Sequence, residues 1–228
     1  GGNNSSCDDL IDISLNCSTQ FCGSEGLSTN IQTQNDVVAI AGCTDLIGDF
    51  EVYDGLDLTP LQGLQTVSGH LSFLGGSQGN IDLPNLTSVG KDFKIKNGAM
   101  NKISLPSLTS VALQFEITGC DNLDTLDLSS FSSVGSILKI DDNPLLPVID
   151  LPSIVDINEL AIENHSALHT ISIGPLLTNL NTLWIQSNPS LANCCDLLDL
   201  ASVVSGNFYF GGNNSSCDDL IDISLNCS

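Results

Sequence analysis

Arginine is absent from this chain of 228 residues, and five lysines face 27 acidic residues, for a formal net charge of −22. Nucleic acids need basic partners for their phosphates, so that class of partner is excluded, as is polybasic attachment to an anionic membrane. Long apolar runs are missing as well. Stretches such as VVAIAG at 37–42 are too short to span a bilayer. No secretory leader pattern is present, which is the expectation for an internal slice of a longer protein. The nine cysteines form no C-x-x-C pairs and have no histidine companions at metal-ligand spacing. They point to disulfides and an oxidising compartment rather than to zinc.

What is present is repetition. GGNNSSCDDLIDISLNCS occurs at residues 1–18 and again, unchanged, at 211–228, a period of 210 residues. The simplest reading is a longer protein built from near-identical modules. Residues 1–18 are then the end of a preceding repeat, 19–210 a solenoid module, and 211–228 the junction again. The alternating IDI within the repeated segment reads as a strand. One period holds seven cysteines, 22, 43, 120, 194, 195, 217 and 227, with Cys7 and Cys17 equivalent to the last two. Seven is odd, so at least one cysteine lacks a partner in its own module. Cys120, in the turn TGCDN, is read as a small buried thiol, with an interchain disulfide as the alternative.

A shorter period lies inside the long one. GDFEV, GHLSF, KDFKI, LQFEI, SILKI, NELAI, NTLWI and SGNFYF end on Val52, Phe73, Ile95, Ile117, Ile140, Ile162, Ile185 and Phe210, separated by 21, 22, 22, 23, 22, 23 and 25 residues. Each interval carries a second alternating run, as in IDLPNL at 81–86 and ISLPSL at 103–108. Period-two alternation bounded by Gly, Asn and Pro signals half-buried strands, and Pro84, Pro106 and Pro152 mark corners. Asn97, Asn122, Asn143, Asn164, Asn188 and Asn213 read as one stacked column of turns, because Asn tolerates left-handed backbone. The expected fold is mostly all-β: a right-handed parallel β-solenoid with rungs of about 22 residues. Eight rungs at about 4.8 Å make a rod segment roughly 40 Å long.

CTDLIGDFEV at 43–52 resembles the opening motif of receptor L domains, LQGLQTVSGHLSF at 61–73 their next rung, and SNPSLANCC at 187–195 their closing segment. The resemblance spans roughly residues 20–210. These are leucine-rich β-solenoids of the insulin and epidermal growth factor receptor ectodomains, found also in fungal wall and bacterial surface proteins. It implies binding or architecture without naming a ligand. It also implies disulfide pairing of Cys22 with Cys43, and of Cys194 and Cys195 with Cys217 and Cys227. The cysteine-rich modules and kinase of those receptors are absent from these 228 residues, so hormone binding does not carry over.

Catalytic constellations are scarce. His165 and His169 are four apart, but in a turn and strand start rather than on a helix, so they read as exposed or loosely packed. His70 stands apart. Paired acids are abundant, yet the basic residues that hold acidic sugars are few, so no enzyme is expected. On the first strand set, Glu51, Ser72, Lys94, Glu116, Lys139, Ala161, Trp184 and Tyr209 are expected outward. Lys94, Glu116 and Lys139 alternate in sign, which suits cross-strand pairing. The lone tryptophan with Tyr209, beside Ala161, forms a candidate contact patch for a sugar, a partner protein or a filament neighbour. On the second set, Asp82, Ser104, Asp127, Asp150, Ser172, Asp199 and Asp222 are expected outward. Calcium could bridge Asp127 and Asp150, or bind near Asp141 and Asp142, although no DxDxDG loop is present. A solvated acidic face is the plainer reading. Asn3, Asn4, Asn16, Asn85, Asn164, Asn213, Asn214 and Asn226 begin N-x-Ser/Thr sequons.

The combined expectation is a structural and adhesive repeat of a long extracellular filament or cell-surface adhesin. Its partners would be neighbouring copies of the module and parallel chains, with other cell surfaces or glycans as targets. The alternatives are a ligand-binding receptor-type ectodomain and a carbohydrate-active β-helix enzyme.

Overall fold

The structure is a computed structural model that describes residues 21–53, 55–75, 79–200 and 202–227. Residues 1–18, including Cys7 and Cys17, lie outside that set. The rungs stack as a parallel β-solenoid of about eight turns. A twelve-stranded parallel sheet runs its length, and smaller parallel sheets cover the second side. The apolar column read from the sequence is the register of the large sheet: Val52, Phe73, Ile95, Ile117, Ile140, Ile162, Ile185 and Phe210 are successive Cα partners, and Ile31 extends the column to the first strand. Two residues earlier, Phe50, Leu71, Phe93, Phe115, Leu138, Leu160, Leu183 and Phe208 form a second column. Phe93 and Phe115 stack inside the coil with centroids 5.0 Å apart.

From Phe73 onward, each rung leaves the large sheet through the same turn. The second residue after the apolar column has positive φ: Gly75 at 109°, Asn97 at 53°, Gly119 at 67°, Asp142 at 53°, Asn164 at 61°, Ser187 at 58° and Gly212 at 73°. Left-handed backbone turns the chain inward, so the third residue points into the coil. There Cys120, Asn143, His165 and Asn188 are buried, and Asn213 continues the line. The asparagine column read from the sequence is therefore two columns. Asn97 and Asn164 supply the left-handed turn, Asn143, Asn188 and Asn213 the interior, and Asn122 belongs to neither.

The interior column is a hydrogen-bonded ladder. Asn143 Oδ1 accepts from the Cys120 amide (3.0 Å), Asn188 Oδ1 from the His165 amide (3.1 Å) and Asn213 Oδ1 from the Asn188 amide (3.1 Å). Their Nδ2 groups donate back to carbonyls of the preceding rungs, Asn188 to Ile162 and Asn213 to Ile185. Buried amides and carbonyls left by the turn would otherwise be unpaired, at a cost comparable to a lost hydrogen bond each.

The second strand set pairs Asp82 with Ser104 and Ser104 with Asp127, and separately Asp150 with Ser172. Pro84, Pro106 and Pro152 occupy the turns that follow, as read from the sequence. Asp199 and Asp222 do not extend the set: they lie on helices Asp196–Leu200 and Leu220–Asn226. The IDI at 221–223, expected as a strand, is thus helical. Asp219 caps that helix by accepting from the Ile221 and Asp222 amides, and Ile223 anchors it in the core.

Both ends are stapled. Cys22 bonds Cys43 across the first rung, beside the short helix Gln34–Ala39. Cys194 bonds Cys217, and Cys195 bonds Cys227, tying the last helix to the rung before it. The described free cysteine, Cys120, is buried.

Candidate contact surface

The outward column of the large sheet is charged in its first half and aromatic at the end, although Glu116 and Ala161 within it are buried. Asn30, Glu51, Ser72, Lys94, Glu116, Lys139, Ala161, Trp184 and Tyr209 are register partners. The sequence expectation of Lys94–Glu116–Lys139 ion pairs is corrected by the side chains. Lys94 Nζ reaches Asp92 (2.7 Å), Lys96 reaches Glu116 (3.0 Å), and Lys139 reaches Asp141 (3.1 Å). A lysine directly opposite a glutamate competes with acids one column over, and here the flanking acids win.

A second outward column, missed in the sequence, lies three residues before the apolar one: Asp49, His70, Asp92 and Gln114. Each carboxylate receives the next rung's amide, Asp49 from His70 (2.9 Å) and Asp92 from Gln114 (3.0 Å). Lys91 also bonds Asp49 (2.9 Å), and His70 Nδ1 lies 3.1 Å from Asp92. The His70 amide and the Lys91 ammonium hold Asp49 below the ordinary carboxylate range. Burial raises the Asp92 carboxyl, but the Lys94 and Gln114 bonds outweigh it and the net shift is downward. Recurrence of Asp at this offset from the apolar column was the available signal.

Trp184 and Tyr209 are brought together. They are cross-strand partners whose rings stack with centroids 3.7 Å apart and planes 11° apart. Rings stacked along the strand-to-strand direction stand on edge to the sheet. Trp184 is half-buried, with Tyr209 stacked on one side and its other register partner, Ala161, buried. The outer face of Tyr209 turns toward the position a further strand would take, because Val204–Gly211 ends the large sheet.

The histidines are not brought together as a pair. His165 is buried in the ladder rather than exposed: Nδ1 meets the Asn143 backbone (3.0 Å to its carbonyl, 3.3 Å to its amide) and Nε2 the Ile140 carbonyl (3.1 Å). Burial lowers its pKa below the ordinary value, against those backbone bonds and Asp141 and Asp142. His169 is exposed and bonds Thr170. Of the acids considered for calcium, Asp127 caps the Ser129 amide and Asp141 engages Lys139 and Asn164. Asp127 and Asp150 sit in different sheets. Among the described residues no group of three or more His, Cys, Asp or Glu side chains is gathered as metal ligands.

An open groove of about 760 Å³ between the second strand set and helix Asp196–Leu200 is lined by Ser172, Pro175, Asp196, Asp199 and Ser202. Asp196 is occupied there by the Ser172 hydroxyl (2.9 Å) and the Ile173 amide (3.1 Å). Among the sequon residues, Asn213 Nδ2 is held inside by the Ile185 carbonyl, whereas Asn85 and Asn164 are exposed. Among the described residues no helix is long and apolar enough to cross a membrane. Comparison with protein families, with curated proteins and with solved structures gave no match.

Proposed function

We propose that this chain is one repeat of a long extracellular filament or surface adhesin, with a mechanical and adhesive role. The observation that carries the reading is the recurrence of GGNNSSCDDLIDISLNCS after 210 residues, in a segment whose second copy forms the disulfide-anchored end of a solenoid. A segment that closes one module and also stands immediately before the next module belongs to an array. The three disulfides and the absence of a spanning helix among the described residues are compatible with an extracellular location. Parallel rungs share load over many backbone bonds, and the staples limit how far an end can open. The finer assignment to receptor L-domain-type modules rests on the motifs at 43–52, 61–73 and 187–195 and on the cysteine pairs at the two ends.

Electron cryo-microscopy of the native protein from its source tests the reading. A fibre or stalk with a regular axial repeat of solenoid modules supports it. Single modules with no tandem neighbours would remove it. Trp184→Ala carries the adhesive part: loss of lateral assembly or cell contact is expected, and unchanged adhesion removes the Trp184–Tyr209 patch from the account.

A further inference from the structure

Exposed apolar side chains occur along the body of the coil, as at Leu113, Leu145 and Leu176, and each end of the coil carries a pair as well. At the first rung, Leu27 is 54% exposed and Val38 57%. Leu27 sits in a bulge of strand Phe21–Ile31, between Gly23 and Ser28, and Val38 on the helix Gln34–Ala39. At the far end, Ile221 is 69% exposed and Leu225 72%, four residues apart on one face of helix Leu220–Asn226, opposite the buried Ile223.

The repetition fixes what comes next to that helix. Ile11 and Leu15 are the copies of Ile221 and Leu225, and Cys17 is the copy of Cys227. Only Ser18, Thr19, Gln20 and Phe21 separate Cys17 from Cys22. Five Cα steps span at most about 18 Å. In an array, both ends of this link are held by disulfides, one to the outgoing helix and one to the incoming first rung. The two apolar ends are therefore forced within reach of each other.

The first strand itself is poorly shaped for continuing the sheet. Its bulge directs the Ser24 and Leu27 carbonyls at Gly48, where a Cβ would lie 2.6 and 2.7 Å from those oxygens. Bulges of this kind blunt an edge strand. Both ends are also acidic, with Glu25 and Asp36 at one and Asp218, Asp219 and Asp222 at the other, so apolar contact must outweigh repulsion.

We propose that the terminal helix of one repeat packs Ile221 and Leu225 against Leu27 and Val38 of the next repeat, forming a fixed helix-on-cap joint. This deepens the array reading and rests on it. The test is a chain carrying two consecutive 210-residue repeats, imaged by electron cryo-microscopy for the angle between the two solenoid axes. A single narrow angle is expected, narrowing further with added salt as the acidic repulsion is screened. The double variant Ile221→Asp and Leu225→Asp in the first repeat should broaden it several-fold. Leu176→Asp, at a residue 60% exposed in a rung between the two ends, should leave it unchanged. Unchanged melting of both variants establishes that each repeat still folds. A broad angle in the unmodified chain, an unaltered angle in the double variant, or continuous strand pairing across the joint overturns the proposal. None of these outcomes depends on the native protein being a filament, which the imaging at source decides separately.

Discussion

His165 occupies a position that three other rungs fill with asparagine, and it performs the same bonding with a group that can be charged. Held neutral by burial, its pKa lies below the ordinary histidine value. The unfolded chain then binds a proton near pH 6.5 that the native state refuses, so stability falls as pH drops from about 6.5 toward the folded value. Thermal melts of the native protein and of His165→Asn between pH 7 and 5 check this, and the asparagine variant should lose that part of the slope. Glu163, raised by burial and by Asp141, slopes the opposite way, which is why the difference between the two proteins is the quantity to read. Cys120 in the same column is buried with its thiol pushed up to about 11. It should not react with a thiol reagent at pH 8 in the native state and should react once on unfolding; rapid native labelling would contradict its place in the ladder. Burial of this thiol was legible from the odd cysteine count and its turn. The histidine was not, because a polar residue directly after the turn residue Asn164 carries no sign in the sequence that its side chain is aimed inward.

At the scale of the element, the turn is a two-residue device: a left-handed residue followed by an inward one. Asn188 shows what the second position contributes, since its side chain bonds the His165 amide, the Ile162 carbonyl and Asn213 Oδ1. Asn188→Ala leaves buried groups unpaired and should cost about 2 to 4 kcal/mol in denaturant unfolding; a loss under about 0.5 kcal/mol would mean water replaces the side chain. Gly119→Ala tests the first position, where φ is 67° and a Cβ would meet Asn97 Oδ1 at 2.6 Å. The strand column was readable because eight apolar residues recur at nearly constant spacing and only one period fits them. The terminal helix was misread as a strand for a related reason: IDIS alternates over only four residues, too short a run for periodicity to separate the two. The Asp219 cap preceding it was the better signal, since a carboxylate accepting two amides serves a helix start and not a strand.

At the scale of the molecule, a solenoid is held rung to rung, so its ends have one neighbour where the middle has two. The large sheet stops at Val204–Gly211, whose residues are mostly exposed or half-exposed, whereas the strands from Phe93 to Gln186 contribute fully buried columns. The disulfides sit where this deficit is. Cys22–Cys43 closes 21 residues, Cys194–Cys217 closes 23 and Cys195–Cys227 closes 32, each worth about 3 to 4 kcal/mol by loop-closure entropy. The 210-residue period was legible in the sequence; the exposed apolar pairs at the two ends were not, since exposure of Ile221 or Val38 depends on which face of a short helix meets the core. Reduction should therefore loosen the ends before the middle. Under hydrogen exchange, amides of residues 22–52 and 204–227 should lose protection when the disulfides are reduced, while those of 93–163 keep theirs until global unfolding. Equal loss along the whole chain would show that the rungs unfold as one unit and that the staples stabilise the whole coil. Preservation of end-rung protection would show that apolar packing, from Val37 and Ile40 at one end and Leu197 and Ile223 at the other, suffices to close the coil without them.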